Sequence, residues 1–95
     1  MALRIRFNDE KNEILKATRG IGFDDIIDLI KNGYLLDDKQ HPHSSKKHQR
    51  IYVVKVEKYA YVVPYVIDRK KQEVFLKTIY PSRKYTKLYI KKGEI

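Results

Sequence analysis

From Val74 to Tyr80 apolar and polar side chains alternate in a stretch rich in β-branched and aromatic residues, which predicts a strand. Its register places Val74, Leu76, Thr78 and Tyr80 on one face and Phe75, Lys77 and Ile79 on the other. Pro81 has no amide hydrogen to give to a ladder and ends it. Ser82 or Tyr80 can cap a short helix that follows, bearing Arg83, Lys84, Lys87, Lys91 and Lys92, with Tyr85 and Tyr89 four apart on one face. The chain thus leads a strand into a basic, tyrosine-bearing helix.

Upstream, Leu3, Ile5 and Phe7 alternate with Arg4 and Arg6, the pattern of a short strand. Asn8 or Asp9 caps a first helix running to about Arg19, with Ile14, Leu15 and Thr18 as its inward stripe. Gly20 and Gly22 break it as a C-cap and a tight turn; a phosphate loop needs more glycines and a preceding strand. Phe23, Ile26, Ile27 and Ile30 recur at helical spacing. Asp24 and Asp25 sit in the first turn of that second helix, where its dipole favours acids, and Asn32-Gly33 ends it. Tyr34-Leu35-Leu36 suits a short strand.

Asp37–Gln49 is polar throughout and is expected to be the one long loop. Then Arg50–Glu57 alternates, with Tyr52, Val54 and Val56 on one face and Ile51, Val53 and Lys55 on the other. Lys58-Tyr59 turns the chain, and Ala60–Ile67 is apolar enough for a strand buried on both faces. Pro64 conflicts with a regular central position there and points to a bulge or an edge. Asp68–Gln72 is a charged hairpin loop. The expectation is a single α+β domain over residues 1–95. It has a small, mainly antiparallel mixed sheet, made of a three-strand C-terminal meander and short N-terminal strands. Two N-terminal helices and a basic C-terminal helix complete it.

Charge narrows the partners. Lys and Arg number 21 against 12 acids, a net +9. The acids concentrate before Lys39 and the basic excess lies beyond it. Such a split predicts a basic face built from the C-terminal half, suited to nucleic acid or an acidic protein. No apolar run approaches the ~20 residues a membrane span needs. Without cysteine there is no disulfide framework and no thiolate metal site, which fits a reducing cytoplasm.

Several groups can carry chemistry. The pattern H41-x-H43-x4-H48 invites a zinc reading, with Asp37 or Asp38 as a further ligand, but no rigid element sets its geometry and solvated histidines are the simpler reading. His48 stands just before a strand and is the candidate general acid or base. Lys77 sits on an apolar strand face: its stem either snorkels to the sheet rim or enters a cleft where phosphate restores its charge. Arg50 and Arg83 offer planar forks to phosphate. Lys46, Lys47, Lys84 and Lys87 extend the basic surface, and Tyr80 and Tyr85 are placed to stack on an unpaired base.

Two stretches, R-G-I-G-F-D-D-I-I-D-L-I (Arg19–Ile30) and L-K-T-I-Y-P-S-R-K (Leu76–Lys84), together with the element order, resemble the BrnT-type toxins within the wider RelE-like group of bacterial ribonuclease toxins. Thr18-Arg19-Gly20 stands where such chains carry Lys-His-Gly. Tyr80-Pro81-Ser82 replaces their strand-end arginine, with Arg83 just beyond. The resemblance implies a small, metal-independent endoribonuclease that cleaves mRNA by attack of the ribose 2′-OH. It also implies a cognate acidic antitoxin as partner, through which the protein could oligomerise, and no cofactor. On residues alone, a non-catalytic nucleic-acid-binding or acidic-protein-binding module using the same basic face is the alternative.

Overall fold

The computed structural model describes residues 4–43, 45 and 49–90. Along the chain run β1 (Arg4–Arg6), α1 (Asp9–Arg19), α2 (Phe23–Lys31), β2 (Leu35–Gln40), β3 (Arg50–Val56), β4 (Tyr59–Asp68), β5 (Glu73–Leu76), β6 (Tyr80–Pro81) and α3 (Arg83–Tyr89). The strands form one sheet in the order β1-β5-β4-β3-β2, with β6 also paired to β4. Only the β1–β5 pair is parallel. This is the mixed α+β fold expected. No helix among the described residues is long and apolar enough to cross a membrane.

Alternation along the strands sends side chains to two faces. On the first, Val54, Val63, Tyr65, Val74, Leu76 and Ile79 form a core with Leu15 of α1, Ile21, and Phe23 and Ile26 of α2. On the second, Ile51, Val53, Ala60 and Val62 meet Tyr85 of α3. The helices therefore divide between the two faces, two against one.

The start of each helix is anchored by a short polar side chain. Asn8 Oδ1 accepts the Lys11 amide at 2.8 Å, and Ser82 Oγ accepts that of Tyr85 at 3.1 Å. Between α1 and α2 the glycines act structurally. Gly20 takes a left-handed φ of 74° and its amide donates to the Lys16 carbonyl. A Cβ on Gly22 would stand 2.4 Å from Asn12 Oδ1, so only glycine fits. Asn12, nearly buried on α1, accepts the Phe23 amide at 2.6 Å and so caps its neighbour α2. The inward stripe of α1 is thus Asn12 and Leu15; Ile14, expected inside, is 57% exposed.

Two further expectations are corrected. Asp37–Gln40 is not loop but the greater part of β2, paired to β3. Its acids gain partners that offset their poor strand propensity: Tyr89 Oη donates to Asp37 Oδ2 at 2.5 Å, and Tyr65 Oη to Asp38 Oδ1 at 2.5 Å. The second correction concerns the strand from Val74 to Tyr80, which breaks. From Leu76 to Tyr80 the chain advances four residues while its partner β4 covers three, Tyr65 to Val62. That extra residue is a bulge. It moves Ile79 onto the same face as Leu76, where Ile79 is fully buried.

The bulge also resolves Pro64. The Pro64 carbonyl accepts the Lys77 amide at 2.8 Å, so its backbone polar edge faces the interrupted β5–β6 side. Its missing N–H falls where the ladder is already broken, and pairing to β3 continues past it through Val63 and Tyr65.

Candidate functional site

The bulge opens the sheet beside a cleft of about 380 Å³ lined by Lys11, His41, Gln49, Pro64, Lys77, Thr78 and Tyr80. Six segments meet there: α1, the residue after β2, the residue before β3, β4, the stretch joining β5 to β6, and β6. Each contributes for a local reason. Asn8 starts α1 so that Lys11 falls in its first turn. The His41 amide donates to the Gln49 carbonyl at 3.0 Å, which closes the neck of the β2–β3 loop and sets both side chains side by side. Lys77 follows Leu76 by ordinary alternation, its amide still bonded to the Pro64 carbonyl, and the bulge begins just after it.

The chemistry collected is cationic and donor-rich. Lys11 and Lys77 supply ammonium groups, and Gln49 and Thr78 supply an amide and a hydroxyl. His41 Nδ1 accepts the His43 amide at 3.1 Å, so the neutral ring carries its proton on Nε2. Burial, helped by Tyr85, raises the Tyr80 phenol above its ordinary range, so like any tyrosine it can donate a hydrogen bond at neutral pH, while being a weaker acid. Such a set suits an oxyanion.

The expected residues are distributed unevenly. Lys77 and Tyr80 line the cleft. Lys77 is exposed, with Nζ 5.7 Å from the Phe75 ring centroid, so it lies at the rim and not in a desolvated pocket. Arg50 is engaged elsewhere. Its Nε lies 3.1 Å from Tyr65 Oη and 3.3 Å from Asp38 Oδ1, and Nη2 donates to the Asp38 carbonyl at 3.0 Å. Those contacts, led by Tyr65, raise its pKa. Arg83 is exposed in the first turn of α3 and does not line the cleft.

Tyr85 is the clearest correction. It is 6% exposed, stacks on Tyr89 with centroids 5.8 Å apart, and has Lys39 and Lys84 ammoniums over its ring. Its ring belongs to the second core and is not open to a base. Lys84 and Lys87 remain exposed on α3. His48, Lys46 and Lys47 lie outside the described residues. Among the described residues no group of three or more His, Asp or Glu side chains is placed to hold a metal ion.

Lys11, Gln49 and Thr78 were not singled out from the sequence. Lys11 looks like any solvent-facing helix lysine, and only the tertiary fold sets it beside Lys77. His41 was visible only as one of three loop histidines. Its distinguishing feature, the backbone pairing to Gln49, leaves no mark in composition.

No family model matches the chain, and neither a curated protein nor a solved structure is similar to it at a significant level.

Proposed function

We propose that this protein binds RNA through its phosphodiester backbone in the Lys11–Lys77 cleft and cleaves it without a metal ion, as a toxin of the BrnT and RelE-like type. The observation that carries this is the meeting of Lys11, Lys77, His41 and Tyr80 around one opening at the strand break. Cleavage by 2′-OH attack needs cations and donors around the pentacoordinate phosphorane, a base near the 2′-OH and an acid at the leaving 5′-oxygen. Lys11 and Lys77 meet the phosphorane charge, with the His41 Nε2–H as a further donor. The Tyr80 phenol offers a hydrogen bond to an oxygen of the phosphorane. His48 remains the candidate general base or acid. Arg83, Lys84 and Lys87 extend the track of the strand beyond the cleft.

The partner follows from the charge. A +9 domain with such a cleft calls for an acidic antitoxin, in a complex that weakens with salt where rim charges steer it.

The test is a pair of measurements, single-turnover cleavage in chelator and equilibrium binding, on wild type, Lys77→Met, Tyr80→Phe and His48→Ala. Loss of a proton-transfer group costs about 10²–10⁴ in rate with affinity largely kept. At least one variant is expected to show that split. If the wild type binds RNA and leaves it intact, the protein is a non-catalytic binder using the same face.

A further inference from the structure

Of the exposed aromatic residues beside Lys77, Tyr80 lines the first cleft and Phe75 does not. Phe75 follows Val74 on β5 and points to the second face, away from the core that Val74 and Leu76 enter. It is 37% exposed. One exposed aromatic is ordinary on a protein surface and by itself marks nothing. Its setting is not ordinary. Phe75 shares a second cleft, of about 450 Å³, with Ile14, Lys11 and Lys77. The last two are the same ammoniums that line the phosphate cleft. Lys77 Nζ stands 5.7 Å from its ring centroid, and its register partner on β1 is Arg6. The two clefts thus meet at one pair of lysines, with an open ring on one side and the donor-rich opening on the other.

That juxtaposition matches the parts of a nucleotide. A single-stranded ligand offers an anionic phosphate and, one sugar away, a flat base with both faces free. The lysines suit the first and the ring the second. A paired duplex keeps its bases stacked and has nothing to give Phe75.

Resting on the RNA-binding reading above, we infer that Phe75 is a base-stacking subsite, holding the base next to the phosphate bound between Lys11 and Lys77, so that the ligand is single-stranded. The role expected of Tyr85 thereby passes to a residue on the other side of the bulge. Stacking is tolerant of sequence, so the subsite positions the strand without choosing a particular base.

The experiment uses the full chain and a short 2′-O-methyl single strand, which has no free 2′-OH to attack, carrying 2-aminopurine at each position in turn. Wild type should quench the probe at one position. Phe75→Leu, which keeps apolar bulk without a ring, should weaken binding about 10- to 100-fold and abolish that quenching, with the salt slope unchanged. Phe75→Trp should keep both. Lys77→Met should lower the salt slope by about 0.7, as for one phosphate contact on a single strand. If Phe75→Leu binds like wild type while Lys77→Met lowers the slope, the stacking subsite is overturned and the phosphate cleft stands. If the wild type binds no single strand at any salt concentration, both are overturned.

Discussion

The two faces of the sheet are built from the same strands and end differently. The first is closed by two helices, and Phe23, Ile26, Val54, Val63 and Ile79 on it are fully buried. The second is covered by α3 over Ile51, Val53, Ala60 and Val62, but Phe75 and Lys77, also directed to that side, are exposed. One short helix does not reach the whole face. The uncovered part holds Phe75 and Lys77, and Lys11 meets them from α1, the helix of the first face. Burial is concentrated on one face, and the exposed Phe75 and Lys77 lie at the unfilled end of the other.

Phenylalanine occurs on both sides and gives the sharpest contrast. Phe23→Ala removes a fully buried ring and should cost about 3–5 kcal/mol in urea unfolding. Phe75→Ala should stay within about 1 kcal/mol in the same assay, since its ring is partly in water already. Similar losses from both would mean that the second face is as closed as the first.

The anchor of α3 comes next in size. Thr86, 1% exposed, donates from Oγ1 to the Ser82 carbonyl at 2.7 Å and accepts the buried Ala60 amide at 2.8 Å. Thr86→Val leaves that amide without a partner and should cost about 1–3 kcal/mol. A neutral result would mean that the helix is held by its apolar contacts alone.

The smallest effect belongs to the tie between β2 and α3. The Tyr89 hydroxyl holds the Asp37 carboxyl below its usual range, and the Asp37 carboxylate pushes the tyrosine up to about 12. The carboxylate's contribution is present above its unfolded value near pH ~3.9 and is lost as pH falls through the lower folded value. The tyrosine's contribution is complete below its unfolded value near pH ~10 and is lost as pH rises through about 12. Following Asp37 by NMR, Tyr89→Phe should raise its midpoint toward the ordinary carboxylate range. An unmoved midpoint would break the proposed tie.

Much of this arrangement was legible in the chain. Helical spacing placed Phe23 and Ile26 inward, alternation divided Tyr52 and Val54 from Ile51 and Val53, and Ser82 announced α3. The bulge was not legible from Val74–Tyr80, because a strand pattern carries no sign of how many residues its partner uses. Pro64 held the clue, since a proline within a long apolar strand needs a gap in the ladder beside it. Asp37 and Asp38 read as loop because their partners, Tyr89 and Tyr65, lie 52 and 27 residues away. The cleft was half legible. Lys77 and Tyr80 belong to one local segment, whereas Lys11 and Gln49 reach them only through the fold. Tyr85 was misplaced for a related reason: its four-residue spacing from Tyr89 identifies a shared helical face without saying whether solvent or the sheet meets it.

The most direct test is to map where a single strand touches the protein. Backbone amide shifts of the labelled full chain would be followed during titration with a short 2′-O-methyl RNA. The largest changes should fall at Lys11, His41, Gln49, Phe75, Lys77 and Tyr80, around the two clefts that share Lys11 and Lys77. Changes centred instead on the other large cleft, about 480 Å³ and lined by Arg19, Asp25, Asp28, Glu57 and Tyr61, would contradict the account, as would no change at all.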